Sequence, residues 1–293
     1  MTSVATTRRR QALSRFWADF RGHRAGVAGV VVLVAAVVLA LVAPLFIDES
    51  VTSVVDAPGD DFDAPSPAFP FGTDESGRSI LLMVWWGSRT SLLIGFLAAL
   101  LSIVIGMVVG IAAGHFRGWL GAVLMRVTDW FLVLPSLVTA LVLAAILGGS
   151  TFTIIMAIGI TTWPSTARLI RAQTLAVESR PYIERSKALG AGHWHITTRH
   201  VLPNVAPLLL ASTTLEVASA IVTESTLAFL GASANKTSWG TMLRGSYDFG
   251  AANEGAWWYI LIPGLAILAV VMAFTLVGRA LEAVLNPRLR RAS

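Results

Sequence analysis

The sequence predicts an all-α membrane protein of six transmembrane helices, and three observations carry that expectation. Only 13% of the 293 residues are charged while 55% are hydrophobic, whereas a soluble domain carries about 25% charged residues. The apolar residues, which lift mean hydropathy to +0.71, fall in several runs long enough to cross a bilayer; one crossing takes about 20 helical residues. The Lys and Arg side chains gather in alternate connections between those runs. Together these exclude a soluble enzyme.

Six spans follow from the runs: about Ala25–Ile47, Ser91–Phe116, Val127–Leu147, Thr151–Ala167, Val205–Leu230 and Trp257–Val277. Each must be helical, because lipid offers no water to satisfy a non-helical backbone. The first run follows a basic N-terminus and in that respect looks like a signal peptide. It exceeds the apolar core of about 7–15 residues that such peptides carry and ends on Pro44-Leu45-Phe46 without a small-residue cleavage pattern. It is expected to remain as the first helix.

Orientation follows from charge. With the N-terminus inside, 18 of the 22 Lys and Arg residues fall on the cytoplasmic side. They include Arg8, Arg9, Arg10 and Arg15 before the first span, Arg117 and Arg126 between spans two and three, and Arg168 to Arg199 between spans four and five. Arg78, Arg89, Lys236 and Arg244 alone fall outside, so both termini are expected in the cytoplasm. Basic residues that flank apolar spans are topology signals and form no patch for nucleic acid. The connection between spans one and two is acidic and contains Pro58, Pro65, Pro67 and Pro70, which predicts an irregular outer loop. Trp85, Trp86, Trp119, Trp163, Trp257 and Trp258 lie near span ends, where an indole suits the membrane interface.

The stretch from Arg168 to Asn204 is far longer than a connection between two helices requires. Leu169, Ile170, Thr174 and Leu175 extend a helix below the membrane until Pro181 interrupts it. A short helix from about Tyr182 stops at Gly190, and a second runs from about Trp194 to Val201, ending at Leu202-Pro203-Asn204. Two short helices hinged at a glycine make a knob suited to a partner's groove, with Ile183, Ala188 and Leu189 as its apolar contacts.

Glu184-Arg185-Ser186-Lys187-Ala188-Leu189-Gly190, followed by Leu202-Pro203, resembles the EAA loop of bacterial ABC importer permeases. That pattern reads Glu-Ala-Ala, three residues, Gly, nine residues, Ile, one residue, Leu-Pro. Arg185 and Ser186 replace its two alanines, and His200 replaces its isoleucine. Phe71-Gly72-Thr73-Asp74-Glu75-Ser76-Gly77-Arg78, His200-Val201-Leu202-Pro203-Asn204, Phe229-Leu230-Gly231, Ser238-Trp239-Gly240 and Asn286-Pro287-Arg288 resemble the C-type permeases of dipeptide, oligopeptide and nickel importers (DppC/OppC-like). Arg279 and Glu282 stand where that group has aspartate and arginine.

The resemblance implies the type I (MetI-like) permease fold. Its layout would be a cytoplasmic tail over 1–24, a first helix over 25–47, an extracytoplasmic segment over 48–88, a transporter core over 89–281 with a coupling loop at about 181–204, and a tail over 282–293. It implies that Ile183, Glu184, Ala188, Leu189, Gly190 and Ala191 dock on a separate ATPase, which holds ATP and Mg, while this chain holds no cofactor or metal. It further implies a second related permease as heterodimer partner, an extracytoplasmic substrate-binding protein, and a peptide cargo, with nickel or a metal chelate as the alternative.

Other residues carry their own expectations. A carboxylate at mid-membrane costs about 2.5–3.5 kcal/mol on insertion scales, so Glu216 and Glu224 should not face lipid. Thr213, Glu216, Ala220, Thr223 and Glu224 share one helix face, which would line a translocation path or bond a neighbouring helix. Gly106, Gly110 and Gly114 form a small-residue stripe for close helix packing, within this chain or with the paired permease. Arg126 and Asp129 are spaced for an ion pair one helical turn apart. His193, His195 and His200 are expected in a solvated or partner-facing role, since no cysteine or acidic set accompanies them. Pro135 and Pro164 are expected to kink their spans.

No G-x-x-x-x-G-K-[ST] loop is present to hold nucleotide, and neither G-x-S-x-G nor H-E-x-x-H is present to support a membrane hydrolase. A secondary transporter would show inverted repeats, and it leaves the long inner connection unexplained.

Overall fold

The computed structural model describes residues 16–233 and 237–285; the arginines of 1–15, Lys236 and the Asn286-Pro287-Arg288 motif lie outside the described residues. The Val-, Ala- and Leu-rich run Arg24–Phe46 carries no charge after its first residue and forms helix α1. An irregular segment follows, with a 3₁₀ turn at Glu49–Thr52 and an isolated antiparallel bridge between Thr73 and Ser79. Helix α2 (Ile80–His115) starts well before the predicted Ser91. Its early turns are covered by protein: Ile80 and Met83 are buried with Met242, Trp258 and Tyr259.

The third predicted span is two helices, α3 (Trp119–Val133) and α4 (Ser136–Leu147), set 87° apart. Leu134 and Pro135 between them are extended. Proline lacks the N–H that a continuing helix needs and pushes the preceding residue out of the helical region. Pro164, by contrast, sits inside an unbroken helix α5 (Thr151–Glu178), which runs three turns past the predicted end at Ala167.

Helix α6 (Pro181–Ala188) is the first part of the knob. The second part does not stop at Leu202-Pro203-Asn204. It continues through a π-helical turn at Thr197–Val201 into one helix, α7 (His193–Phe229). A wider π turn lets the chain accommodate a proline without ending the helix. Helix α8 (Trp239–Asp248) starts on a capping box between Ser238 and Thr241, and α9 (Trp257–Leu285) ends the described chain.

The glycine stripe packs within this chain. A Cβ on Gly110 would lie 2.6 Å from the Ala167 carbonyl oxygen, one on Gly106 2.9 Å from that of Trp163, and one on Gly114 2.7 Å from Thr174 Cβ. All three neighbours belong to α5, so α2 and α5 meet backbone to backbone. Gly29 brings α1 against the Ala273 carbonyl of α9 in the same way. Among the described residues no ion pair joins Arg279 to Glu282.

Among the described residues, six spans are not what apolarity yields. α1, α2, α7 and α9 are long and apolar enough to cross a membrane, and the bent α3–α4 pair makes a fifth if counted as one span. α5 falls short because it carries Thr151, Thr153, Thr161, Thr162 and Thr166 as well as Arg168 and Arg171. Protein surrounds it: Ile154, Ala157, Ile158 and Ala167 are fully buried or nearly so, and the Thr161 and Thr162 hydroxyls donate to carbonyls of their own helix.

Candidate functional site

The knob stands on the lower ends of α2, α5 and α7. Pro181 opens α6 at a position where a missing N–H leaves no bond unmade. Gly190 closes it with φ +87°, a left-handed conformation that favours glycine. Glu184, Ala188, Leu189 and Gly190 are exposed and Ala191 is half-buried. Ile183, expected among the apolar groups offered to a partner, is fully buried and packs with Ile170, Val177, Ile196 and Val201 of the chain's own core. An eight-residue helix is not stable alone, so one apolar side chain is given up to hold α6 on the bundle. Leu189 is 84% exposed and Trp194 is 80% exposed. The sequence reading used Trp194 only as the start of the second short helix and missed it as a contact group; a large aromatic close to Gly190-Ala191-Gly192 in a basic stretch was its signal.

Beneath the knob lies a polar chain that spacing could not reveal. His115, the last residue of α2, places Nδ1 2.6 Å from Oε1 of Glu178, the last residue of α5. Lys187 of α6 donates to the other oxygen at 2.7 Å, and His115 Nε2 lies 2.8 Å from Nδ1 of His193, the first residue of α7. Burial alone would raise the Glu178 carboxyl, but the bonds from Lys187 and His115 outweigh it and hold it below the usual value. His193 is therefore paired inside the chain, while His195 and His200 contact each other edge-on at 5.7 Å. Among the described residues no group of three or more His, Cys, Asp or Glu is arranged to hold a metal ion.

The α7 stripe divides. Ser102 of α2 donates to Glu216 at 2.8 Å, and Thr213, Glu216 and Thr223 are half-buried. Ala220 and Glu224 are buried inside the bundle, Ala220 in a core cluster with Ile94 and Ala98 of α2. Ser225 donates to the Glu224 carboxylate at 3.2 Å. Asp129 pairs with Arg168 of α5 at 2.6 Å, not with Arg126. The tertiary partner spans the α3–α5 gap and displaces the local one.

At the opposite end, the 71–78 motif folds over the top of α9. Asp74 is fully buried and binds Arg78 Nε at 2.6 Å, and Arg78 also reaches Glu75 at 3.0 Å. The Trp258 indole donates to the Thr73 carbonyl at 3.0 Å. Burial, then the neighbouring Asp74 charge, pushes the Glu75 carboxyl above its usual value.

A helical bundle with a glycine-hinged knob at one end and a tied-down irregular segment at the other is the frame of a multi-pass membrane protein, and similarity to known proteins makes it a permease subunit. The chain belongs to the family described as "Binding-protein-dependent transport system inner membrane component", which matches residues 103–291. Residues 12–65 match the "N-terminal TM domain of oligopeptide transport permease C". The chain is similar to the di/tripeptide transport system permease protein DppC of Pseudomonas aeruginosa (strain UCBPP-PA14), 34% identical over 287 residues, covering 96% of this chain and 94% of that one. It is also similar to two proteins of Bacillus subtilis (strain 168). Dipeptide transport system permease protein DppC is 33% identical, covering 94% of this chain and 85% of that one. Oligopeptide transport system permease protein OppC is 34% identical, covering 94% and 90%.

Proposed function

We propose that the chain is the transmembrane permease subunit of an ATP-driven importer of di- or oligopeptides, set in a bacterial inner membrane with both ends in the cytoplasm. The observation that carries this reading is the knob: Leu189 and Trp194 flank Gly190-Ala191-Gly192 and stay 84% and 80% exposed, while the other face of α6 is pinned to the bundle. Two large apolar groups beside a hinge suit insertion into a partner's groove.

In this reading Glu184, Ala188, Leu189, Gly190 and Ala191 meet an ATPase subunit, with Ile183 anchoring them from behind. ATP and Mg sit on that subunit, and this chain performs no chemistry of its own. Closure of the ATPase moves the knob, and the bundle opens alternately to each side. A second related permease completes the path, with Thr213, Glu216 and Thr223 at its surface and Ala220 and Glu224 packed behind them. A substrate-binding protein docks on the face formed by 48–88. The peptide cargo follows from the relatives' names, and the orientation from the sequence count that puts 18 of the 22 Lys and Arg residues in the segments read as cytoplasmic.

The chain has no cysteine, so Leu189→Cys supplies a unique thiol. In the assembled importer it should crosslink to the ATPase and lose reactivity toward a water-soluble maleimide. A thiol that stays freely reactive in the assembled complex rules out the docking role.

A further inference from the structure

The polar chain under the knob joins four elements at single side chains. His115 ends α2, Glu178 ends α5, Lys187 lies on α6 and His193 begins α7. The His115 and Glu178 side chains are each 2% exposed, whereas Lys187 is 48% exposed and reaches inward from the surface helix. Phe116 packs against both imidazoles, with centroids 4.9 Å and 5.4 Å away.

Ile183 and Lys187 are four residues apart and so share one face of α6. A single apolar pin at Ile183 would leave α6 free to swivel. A second pin one turn along, charged and directional, fixes how α6 is oriented as well as where it sits. The second pin ends on a carboxylate whose other oxygen is held by α2, and α2 in turn contacts α7 through His193.

We propose that His115, Glu178 and Lys187 form a positioning linkage that makes α6 move as one body with α2, α5 and the start of α7. The proposal rests on the reading of α6 as the ATPase contact. The three residues touch neither cargo nor nucleotide. They act by denying the knob a motion of its own, so that a push on Leu189 or Trp194 reaches three helices and is not absorbed by the hinge at Gly190. In the linkage Glu178 accepts from Lys187 Nζ–H and from His115 Nδ1–H, and one proton is shared between His115 Nε2 and His193 Nδ1.

The test uses the whole importer in lipid vesicles, with ATP hydrolysis and peptide uptake read in parallel and Leu189→Cys crosslinking to the ATPase as a docking control. Lys187→Met should keep the crosslink and keep hydrolysis within about twofold, while peptide taken up per ATP falls about tenfold. Lys187→Arg, which can still donate to Glu178, should retain at least about half the normal ratio. His193→Ala cuts only the arm to α7 and should lower the ratio about threefold, which keeps the proposal testable if Lys187→Met fails to assemble. An unchanged ratio in crosslinked variants overturns the linkage, as does a parallel fall of hydrolysis and uptake. Absence of the crosslink in the otherwise unaltered chain would instead overturn the docking reading beneath it.

Discussion

Ser102 of α2 donates its hydroxyl to the carboxylate of Glu216 on α7 at 2.8 Å, across a sequence separation of 114 residues. The bond keeps the carboxylate off the lipid while its half-buried position leaves it open to one side. Ser102→Ala should cost about 0.6 kcal/mol, the average for hydrogen bonds between membrane helices, read as a small drop in detergent melting temperature. Glu216→Gln should leave melting near normal and reduce peptide uptake. Unaltered uptake in Glu216→Gln would remove Glu216 from the translocation path.

The α2–α5 contact should tolerate no added side chain. With a Cβ on Gly110 falling 2.6 Å from the Ala167 carbonyl oxygen, Gly110→Ala should destabilise by about 1–3 kcal/mol, the usual cost of overpacking. Gly264 has open space around its Cβ position. Gly264→Ala should therefore be neutral or stabilising, by up to about 1 kcal/mol from helix propensity. Thermal unfolding of the purified subunit checks both.

Two carboxylates at opposite ends should respond to pH with opposite sign. The Glu178 carboxyl is held below its usual value, so its contribution is present above pH 4.5 and lost as pH falls through the folded value. The Glu75 carboxyl is raised by burial and then by Asp74; its contribution is full below pH 4.5 and declines as pH rises through its folded value. Hydrogen-exchange protection, corrected for intrinsic rates, should fall on acidification at 181–192 and fall on raising pH at 72–79. Glu178→Gln and Glu75→Gln should each flatten their own profile and leave the other unchanged.

Trp258→Phe removes the indole donor to Thr73 and keeps most of the apolar contact. The loss should be about 0.5–1.5 kcal/mol, felt locally, because Thr73 also bridges Asp60 and Asp63 at 2.7 Å each. Limited proteolysis between Asp56 and Gly77 should become several-fold faster while the helical content stays constant. Cleavage at the normal rate would mean that the segment is held by other contacts.

The all-helical membrane class and the order of the apolar runs were legible in the sequence because lipid acts on each segment separately; the count of six spans and the lengths of α2 and α5 were not. The knob was legible for a similar local reason: Pro181 and Gly190 mark the ends of α6 through their own backbone constraints. The bend at Leu134-Pro135 was expected from Pro135, but the unbroken helix at Pro164 and the helix running through Pro203 were not legible, since the same residue breaks one helix and is absorbed in another according to what packs around it. α5 shows the limit most clearly. The sequence counted Thr151–Ala167 as a span, yet its threonines and arginines keep the whole helix from passing as a lipid-crossing one on apolarity, and the surrounding bundle accounts for its place.

Composition and run length determined that this chain is a helical membrane protein, and Pro181 and Gly190 where its protrusion begins and ends. Tertiary structure decided which side chains meet: Glu178 with His115 and Lys187, Asp129 with Arg168 and not Arg126, Gly110 with Ala167, and Ile183 turned inward while Leu189 and Trp194 face out. The reason is physical. Transfer of a helix from water to lipid depends on that helix's own residues, whereas a hydrogen bond or close packing contact exists only once two helix faces, distant in sequence, come together.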